Sequence, residues 1–411
     1  MTPIQVPASN DVDRLEDILQ RIETEPPDAA RARERSAFDD LASPLSEKLV
    51  LFGAGPLGKA VLEGLRKAGV EPVAFADNNR DLWHKQVMGL SVLPAPEAAE
   101  IHGQTACFVV TVYQGTAVRL QLASLGCHRV VAFASLLWKY ADVFIPQCGL
   151  ELPHRFRQQF DSIRQCYATL ADDLSKRELR EQLLWRYWLD FSALSSPLAA
   201  SDTYFPMDLL SPVPGEVFLD CGGFDGETTQ SFRRHWGGAF RHVFAFEPDP
   251  VNQDALAANL KATGIGDGVT IMPYAVGNMT GKVSFTCNGS VTSHMTSQDS
   301  GSVIECRRLD DIKWPLIPTY IKMDIEGAEP EALAGGADLL RRHLPVLAVC
   351  TYHRSEHLWQ IPNLIRSISS EYQLFLRRYA EECWEGVCYA IPKHRLKRSY
   401  RQRAAPGIVL R

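Results

Sequence analysis

The chain has 411 residues, of which 45% are hydrophobic and 22% charged, and its formal net charge is −6 at pH 7. This length is sufficient for two domains that each bury a core. The balance of apolar and charged residues is that of an ordinary globular protein. A negative net charge argues against a general nucleic-acid-binding protein, because nucleic-acid phosphates would be repelled. We therefore expect no nucleic-acid partner.

The ten cysteines are scattered without a C-x-x-C pair, which argues against a zinc cluster or a redox pair. Several stand in apolar strand contexts and are expected to be buried thiols. Unpaired thiols predict a reducing compartment, the cytoplasm. The N-terminal sequence lacks the basic start and apolar core of a signal peptide. The longest apolar run is far shorter than the ~20 residues that cross a bilayer, so no transmembrane segment is expected.

Residues 1–46 are polar and are interrupted at Pro26 and Pro27, which predicts a mobile arm or loosely held helices. Residues 47–150 then alternate short apolar runs with helical patterns, which predicts a compact Rossmann-like α/β domain. In chain order we expect a strand from Lys48, a helix over Lys59–Ala68, a strand ending at Asp77, and strands over Ala106–Val112 and Arg129–Phe133.

The loop G-A-G-P-L-G after the first strand holds Gly53, Gly55 and Gly58, and Asp77 ends the next strand. Glycines allow a loop backbone to approach a phosphate closely, and Lys59 at the start of the helix would tolerate its charge. The pattern predicts a nucleotide or nucleotide-sugar site. The alternative that remains open is a degenerate module that docks a partner or substrate without a tight ligand.

Residues 151–200 repeat apolar side chains at spacings of three and four, which predicts a helical linker. A second α/β domain follows over residues 201–393, with five strands, helical crossovers and a late antiparallel pair. The strands we expect are Val217–Asp220, Val243–Glu247, Val269–Tyr274, Tyr320–Ile325, Val346–Thr351, Gln373–Arg378 and Val387–Ile391. Mostly parallel sheets of this kind bind ligands beyond the carboxyl ends of their strands.

The segment V-F-L-D-C-G-G-F-D-G at Val217–Gly226 is the most informative part of the chain. A strand ends in Asp220, a glycine turn and a helix follow, and the next strand ends in Glu247. This is the layout of a nucleotide-binding βαβ unit with an acid for ribose hydroxyls. A carboxylate at the first strand tip would repel a pyrophosphate but suits the ammonium and sulfonium groups of S-adenosylmethionine. The segment therefore predicts S-adenosylmethionine as the cofactor.

Further motifs follow this segment in a fixed order. They are F-A-F-E-P-D-P at Phe244–Pro250, Y-A-V-G at Tyr274–Gly277, R-L-D-D at Arg308–Asp311 and Y-I-K-M-D-I-E-G-A-E at Tyr320–Glu329. In this combination the chain resembles the FkbM-type S-adenosylmethionine-dependent methyltransferases. The resemblance implies an α/β fold of two Rossmann-like domains joined by the helical segment, the C-terminal one a class I methyltransferase sheet. It also implies O-methylation of a sugar, glycan or related natural product.

The resemblance also implies which residues bind the cofactor, with the loop from Asp220 at the methionine part and Glu247 at the ribose. The cofactor-binding residues that we expect are Asp220, Gly222, Gly223, Phe224, Gly226, Thr228, Glu247, Pro248, Ala275 and Asp324. The chain departs from the family pattern at one position. Many relatives have an acid two residues before a histidine at the end of the fifth strand, whereas here Thr351 precedes His353. This departure weakens any metal site built on such an acid.

Methyl transfer to a hydroxyl requires a group that removes its proton as the new bond forms. His353 has a suitable unperturbed pKa, near ~6.5, and is the predicted base. Asp324 is expected to orient the acceptor or the base, and Glu326 is the reserve candidate. Asp324, Glu326 and Glu329 could instead bind a divalent cation such as Mg²⁺, position a hydroxyl or cap the next helix. A metal is not the favoured reading, and Lys322 is expected to be a paired structural lysine.

The sequence thus predicts a cytoplasmic O-methyltransferase that acts on a hydroxyl acceptor. The alternative is a nucleotide-sugar or NAD(P)-binding enzyme or scaffold that works through the N-terminal domain, which is similar to modules found beside sugar-modifying enzymes. The intact Asp220, Glu247 and Asp324 favour the methyltransferase. Residues 394–411 form a basic tail, expected to be solvated, with docking to an acidic polymer or anionic lipid as the alternative. The sequence gives neither the acceptor nor the oligomeric state.

Overall fold

The computed structural model describes residues 14–42, 48–145, 149–265, 268–285, 302–398 and 400. The chain divides into two compact units. The first comprises residues 1–160, 180–197 and 380–384, and the second comprises residues 161–179, 198–379 and 385–411. Each unit contains a mostly parallel sheet with helices between its strands, which confirms the predicted α/β class. Among the described residues, no helix combines the length and apolar character needed to cross a membrane.

The first unit is built on a six-stranded sheet. Its strands are β1 Leu49–Phe52, β2 Ala74–Asp77, β3 Gln86–Val87, β4 Leu90–Pro94, β5 Cys107–Val110 and β6 Val130–Ala132. They lie in the order β3-β4-β2-β1-β5-β6, and all neighbours are parallel except β3 and β4. The central strands β1 and β5 are buried along their whole length. Continuous apolar strands of this kind are typical of parallel sheets that are covered on both faces.

Helices cover this sheet and extend the unit at its N-terminal end. They are α1 Leu15–Thr24, α2 Pro27–Leu41, α3 Pro56–Lys67, α4 Ala95–His102, α5 Thr116–Ser124, α6 Phe133–Lys139 and α7 Ala141–Phe144. Helix α3 begins three residues before the predicted Lys59, because a proline at the first helical position already has the required φ.

The N-terminal residues that the structure describes form two helices, where the sequence left a mobile arm and loosely held helices as alternatives. Helix α1 buries Leu15, Ile18, Leu19 and Ile22, which are spaced as one apolar stripe of a helix. Phe38 of α2 belongs to the main core cluster of the first unit. The apolar stripe was overlooked because the surrounding residues are strongly charged. Residues 1–13 and 43–46 of the predicted arm lie outside the described residues.

The second unit contains a seven-stranded and a three-stranded sheet. Its strands are β7 Glu216–Cys221, β8 Phe240–Phe246, β9 Val269–Met272, β10 Ala275–Val276, β11 Gly281–Phe285, β12 Ser302–Arg307, β13 Tyr320–Met323, β14 Val346–Cys350, β15 Tyr372–Arg378 and β16 Gly386–Pro392. The large sheet has the order β15-β16-β14-β13-β7-β8-β9, in which only β16 is antiparallel to its neighbours. All seven predicted strands and the late antiparallel pair are present. The small sheet β10-β12-β11 was not predicted.

The helices of the second unit and of the predicted linker follow the same chain order. They are α8 Phe160–Thr169, α9 Asp173–Trp188, α10 Glu227–Trp236, α11 Pro250–Ala262, α12 Glu329–Gly335, α13 Ala337–His343 and α14 His357–Ile368. Local sequence fixes several of their ends. The Asp249 side chain accepts a hydrogen bond from the Val251 N–H, and Pro250 follows as the first residue of α11. Gly237 ends α10 in the left-handed conformation.

Two further predictions concern the cysteines and the basic tail. The cysteines that the structure describes are buried and free, as predicted for buried thiols. The basic tail is only partly solvated where it is described, because Arg395 pairs with the buried carboxylate of Glu216 at 2.6 Å from Nη2 to Oε2. Residues 399 and 401–411 of this tail lie outside the described residues.

Candidate active site

The order of the large sheet reverses at β7, because β8 and β13 lie on its two sides. Ligands of open α/β sheets bind at such a point, beyond the carboxyl ends of the strands. The register aligns Asp220 of β7 with Lys322 of β13. The glycine loop follows β7, and Asp324 follows β13. Two of the predicted motifs therefore meet at one position of the sheet edge.

The glycine loop contacts the backbone of Asp324. Gly222 has a φ of 87°, and a Cβ atom there would lie 1.9 Å from the carbonyl oxygen of Asp324. Gly226 has a φ of 89°, and its Cβ atom would lie 2.8 Å from Leu256 Cδ1. Both positions therefore require glycine. A Cβ atom on Gly223 would make an ordinary contact, 3.4 Å from Leu256 Cδ2, and would face the protein interior.

Asp220 is fully buried, and its carboxylate is engaged by the protein itself. Lys322 Nζ lies 3.1 Å from Oδ1, and the hydroxyl of Thr229 donates to Oδ2 at 2.9 Å. Lys322 also donates to the carbonyl oxygen of Gly222 at 2.6 Å. The sequence argument left this carboxylate free for a cationic ligand, whereas the structure balances its charge with an internal lysine. Direct contact of Asp220 with the cofactor remains a prediction.

Lys322 is charged inside the core. Burial by itself lowers the pKa of Lys322, but the negative charges of Asp220 and Asp324 outweigh it and raise the pKa above its usual range. The lysine is therefore protonated at neutral pH. Its partners match the paired structural lysine that the sequence predicted.

Glu247 joins the end of β8 to the glycine loop. The carboxylate accepts hydrogen bonds from the N–H groups of Phe224 and Asp249, each at 2.9 Å. Burial raises the pKa of Glu247, and those two N–H groups act against the shift. Phe224 has a φ of 44°, an uncommon conformation for a residue other than glycine, and such conformations cluster at ligand sites. Glu247 thus holds the loop in shape.

The remaining residues of the expected cofactor set lie in three places. Thr228 is half-buried in the first turn of α10, Pro248 is half-buried directly after β8, and Ala275 is buried in β10. Their contact with a cofactor remains a prediction.

Asp324 lies at the centre of a group of titratable side chains. Its Oδ2 accepts a hydrogen bond from the Tyr204 hydroxyl at 2.7 Å, and its Oδ1 accepts one from the Tyr352 hydroxyl at 3.3 Å. His353 Nε2 lies 3.2 Å from the same Oδ1. Burial raises the pKa of Asp324, but His353 and Lys322 outweigh it and hold the pKa well below its usual range. Asp324 is therefore ionised.

The imidazole of His353 lies between carboxylates. Its Nδ1 lies 2.9 Å from Glu329 Oε1, while Nε2 faces Asp324 and lies 3.7 Å from Glu326 Oε2. Burial lowers the pKa of His353, but the negative charges of Glu329 and Asp324 raise it well above its ordinary value. The pKa of the ring is therefore not the unperturbed one assumed for a base, and the catalytic role of His353 stays a prediction.

Glu329 is the fully buried anchor of this group. It is the first residue of α12, and its Oε1 accepts a hydrogen bond from the Ile325 N–H at 2.9 Å. His357 Nδ1 lies 3.5 Å from its other oxygen. Burial raises the pKa of Glu329, but the charge of His353 outweighs it and leaves the pKa lowered. This hydrogen bond stabilises the turn that precedes α12.

Two further carboxylates of the group have unusual pKa values. Burial raises the pKa of Glu326 to about 7, and repulsion from Asp324 and Glu329 supports the shift. Burial and the charge of Asp324 likewise raise the pKa of Glu385 to about 7. The side chain of Glu326 is 30% exposed, and its φ of 57° is uncommon outside glycine. Strongly perturbed carboxylates beside a cleft are typical of catalytic sites.

The described residues contain one grouping with the ligand types and spacing of a metal site. It consists of Asp324, Glu329 and His353, whose ligand atoms lie within 4.8 Å of one another. The predicted alternative set contained Glu326 in place of His353. A histidine held by two carboxylates can bind either a proton or a divalent cation. Metal binding remains a prediction.

The first unit carries the second predicted site. Asp77 accepts hydrogen bonds from the N–H groups of Ala54 and Asn79, each at 2.7 Å, so it stabilises the loop after β1. A Cβ atom on Gly58 would lie 1.8 Å from the carbonyl oxygen of Gly53, whereas one on Gly55 would meet nothing within 4 Å. Gly53 and Gly58 therefore serve the turn, and the space above Gly55 is open.

The sequence argument missed Tyr204, Tyr352, Glu385 and His357. Tyr204 stands in an irregular segment before β7, and Glu385 lies in the turn directly before β16. Neither belongs to a recognisable motif. Tyr352 and His357 lie beside His353 in the chain, so their proximity to that residue was the available signal.

The order of the large sheet, its switch point and the glycine loop are those of a Rossmann-like α/β sheet with a ligand site at its edge. Residues 220–383 match the family model described as the Methyltransferase FkbM domain. This range contains the glycine loop, Glu247 and most of the group around Asp324. The chain therefore carries an FkbM methyltransferase domain, as its motifs indicated.

The fold is also found among solved structures. The chain is similar to the methyltransferase FkbM from Methylobacillus flagellatus KT, with 23% identity, coverage of 89% of this chain and 100% of that chain, and a TM-score of 0.67. A more distant match is an rRNA methylase from Streptococcus thermophilus, with 10% identity, coverage of 47% and 91%, and a TM-score of 0.31. The first likeness concerns the fold, and the second is too remote to bear on function. A search of curated proteins finds no match.

Proposed function

We propose that this protein transfers a methyl group from S-adenosylmethionine to a hydroxyl of a sugar, glycan or related natural product. The FkbM methyltransferase domain supports methyl transfer. The observation that carries the proposal is the contact between Gly222 and the backbone of Asp324. This contact brings the cofactor loop and the acid–histidine group to one sheet edge, as a transfer between two bound molecules requires.

The backbone and the charge of the glycine loop after β7 both suit S-adenosylmethionine. The two required glycines, Gly222 and Gly226, keep the loop backbone accessible, and Glu247 retains lone pairs that can accept ribose hydroxyls. Lys322 is already paired with Asp220, so it does not make the loop an anion site. Bound S-adenosylmethionine would supply an electrophilic methyl group on a positively charged sulfur.

We assign removal of the acceptor proton to Glu326. An alcohol does not ionise unaided at neutral pH, so a base within hydrogen-bond reach is required. Glu326 is partly exposed and lies beside the group around Asp324, 3.7 Å from His353 Nε2. Its pKa of about 7 suits a base at neutral pH. His353 is protonated and serves to orient Glu326 and Asp324, which revises the role that the sequence argument gave it.

A hydroxyl acceptor also suits the polar groups around the site. The carboxylates of Glu326 and Glu385 and the hydroxyl of Tyr352 offer hydrogen-bond acceptors and a donor for vicinal hydroxyls. Sugars present such hydroxyls in pairs. This chemistry supports a carbohydrate-like acceptor.

The test is a panel of acceptors with methyl-tritiated S-adenosylmethionine. We expect label in UDP-glucose, UDP-N-acetylglucosamine or simple methyl glycosides, and little in lysine peptides or thiols. The rate should rise with pH through about 7, because Glu326 must lose its proton before it can accept another. Transfer to amines alone, or to none of these acceptors, would contradict the proposal. Loss of activity in EDTA with recovery in Mg²⁺ would transfer the proton step to a metal-bound group.

A second candidate function rests on the open space above Gly55. The loop after β1 could hold a nucleotide-sugar at the N-terminus of α3. The same panel tests it through Gly55→Val, which fills that space without a protein clash. UDP-glucose should raise the Tm of the wild-type protein and have no effect on the variant if the loop binds it. An equal increase in both proteins would remove this candidate.

A further inference from the structure

Tyr204 stands in the second unit before β7, outside the residues 220–383 that match the family model. Its side chain is 8% exposed, and its hydroxyl donates to Asp324 Oδ2 at 2.7 Å. The other oxygen of Asp324, Oδ1, faces His353 Nε2 at 3.2 Å. One oxygen of the carboxylate is therefore anchored, and the other is directed toward the histidine.

The backbone of Tyr204 is held in an unusual conformation. Its φ of 69° lies in the left-handed region, which costs of order 1 kcal/mol or more for such a residue and persists only where neighbours enforce it. The hydroxyl of Tyr389 accepts from its N–H at 3.1 Å, and the hydroxyl of Tyr320 donates to its carbonyl oxygen. Tyr389 in turn donates to Tyr379 at 2.8 Å. A set of tyrosine hydroxyls thus fixes the backbone from both sides.

The phenol of Tyr204 is suited to donate a hydrogen bond to Asp324. Burial raises the pKa of Tyr204 well above its usual value, and the charge of Asp324 adds to the shift. The ring also lies under Lys322, whose Nζ is 5.3 Å from the ring centroid. The hydroxyl therefore keeps its proton and donates a hydrogen bond to an ionised carboxylate, which is a strong type of hydrogen bond.

We propose that Tyr204 is a positioning residue for methyl transfer, which fixes the Asp324 carboxylate so that Oδ1 faces His353 beside Glu326. This inference rests on the function proposed above. Tyr204 does not touch the reacting atoms; it acts through Asp324. The left-handed backbone of Tyr204 is held by neighbouring tyrosine hydroxyls. The same residue places its own hydroxyl against Asp324 Oδ2, and this task accounts for the strain.

The test compares Tyr204→Phe with Tyr372→Phe. Each variant removes one phenol hydroxyl from a buried tyrosine and leaves the ring in place. With the best acceptor of the panel, we expect Tyr204→Phe to lower kcat roughly 10–100-fold, with the Kd of S-adenosylhomocysteine within twofold of wild type. Tyr372→Phe, which removes a hydroxyl that donates to the carbonyl oxygen of Leu340, should leave both values unchanged. Equal losses of kcat in the two variants would reveal a merely structural role and overturn the proposal.

A second measurement needs no acceptor. The side-chain carboxyl carbon of Asp324, assigned through Asp324→Asn in ¹³C-aspartate-labelled protein, should have a different chemical shift at neutral pH in Tyr204→Phe than in wild type. The reason is that a hydrogen bond to the ionised carboxylate is lost. Tyr372→Phe should keep the wild-type chemical shift. An unchanged chemical shift in Tyr204→Phe would overturn the inference, whereas failure of every acceptor in the panel would count against the proposed function alone.

Discussion

Replacement of Glu326 by glutamine is expected to lower kcat by roughly 10²–10⁴-fold, the usual contribution of a general base. The amide keeps the size of the side chain but cannot take up the proton from the hydroxyl that is methylated. The Kd of S-adenosylhomocysteine should remain near its wild-type value, because the assigned role concerns the acceptor. Initial rates over pH 5.5–8.5 and calorimetric titration measure the two quantities. The wild-type rate should rise through about pH 7, and the residual rate of the variant should lack this rise.

Glu385→Gln is the matched control for this prediction. Glu385 shares the pKa of about 7, and Asp324 contributes to both shifts. It lacks the contact of Glu326 with His353 Nε2. We expect this variant to keep kcat within about tenfold of wild type. If Glu385→Gln abolishes the rise with pH while Glu326→Gln retains it, the base is Glu385 and our assignment is wrong.

Gly222→Ala is expected to reduce the free energy of unfolding by at least about 3 kcal/mol. A methyl group would overlap the carbonyl oxygen of Asp324 at 1.9 Å, and backbone cannot yield as a flexible side chain does. The φ of 87° adds strain for any residue with a Cβ atom. Chemical denaturation of the full chain measures the change.

Gly223→Ala is the control one residue away. Its methyl group would make ordinary contact with Leu256, so we expect stability within about 1 kcal/mol of wild type. Equal destabilisation by both variants would indicate that the loop is sensitive to any bulk. Equal tolerance would contradict the close contact between the loop and Asp324 on which the proposed function depends.

The sheet of the second unit could be predicted because each of its strands has a recognisable pattern in the local sequence. Strand β14 is a continuous apolar run and β7 contains one at Val217–Leu219. Acids at or directly after the strand ends mark their carboxyl ends. The partners of those acids could not be predicted in the same way. Asp220 pairs with Lys322, which lies about a hundred residues further along the chain, through strand register rather than spacing.

The electrostatic environment of the site was the part that the sequence predicted least well. His353 was chosen for its ordinary pKa, and only the packed structure reveals that Glu329 and Asp324 surround its ring. The same packing raises the pKa of Glu326 into the useful range. Neither shift follows from residue type, because each depends on burial and on charges brought together by folding.

The most direct test of the account is calorimetric titration of S-adenosylhomocysteine into the full chain and into Glu247→Ala. We predict one site in the wild-type protein and affinity weakened by about 1–3 kcal/mol in the variant, because charge-assisted hydrogen bonds of Glu247 to the ribose would be lost. Gly55→Val, altered in the first unit, should bind like wild type. The absence of binding to the wild-type protein would contradict the central claim, as would wild-type affinity in Glu247→Ala together with weakened binding in Gly55→Val.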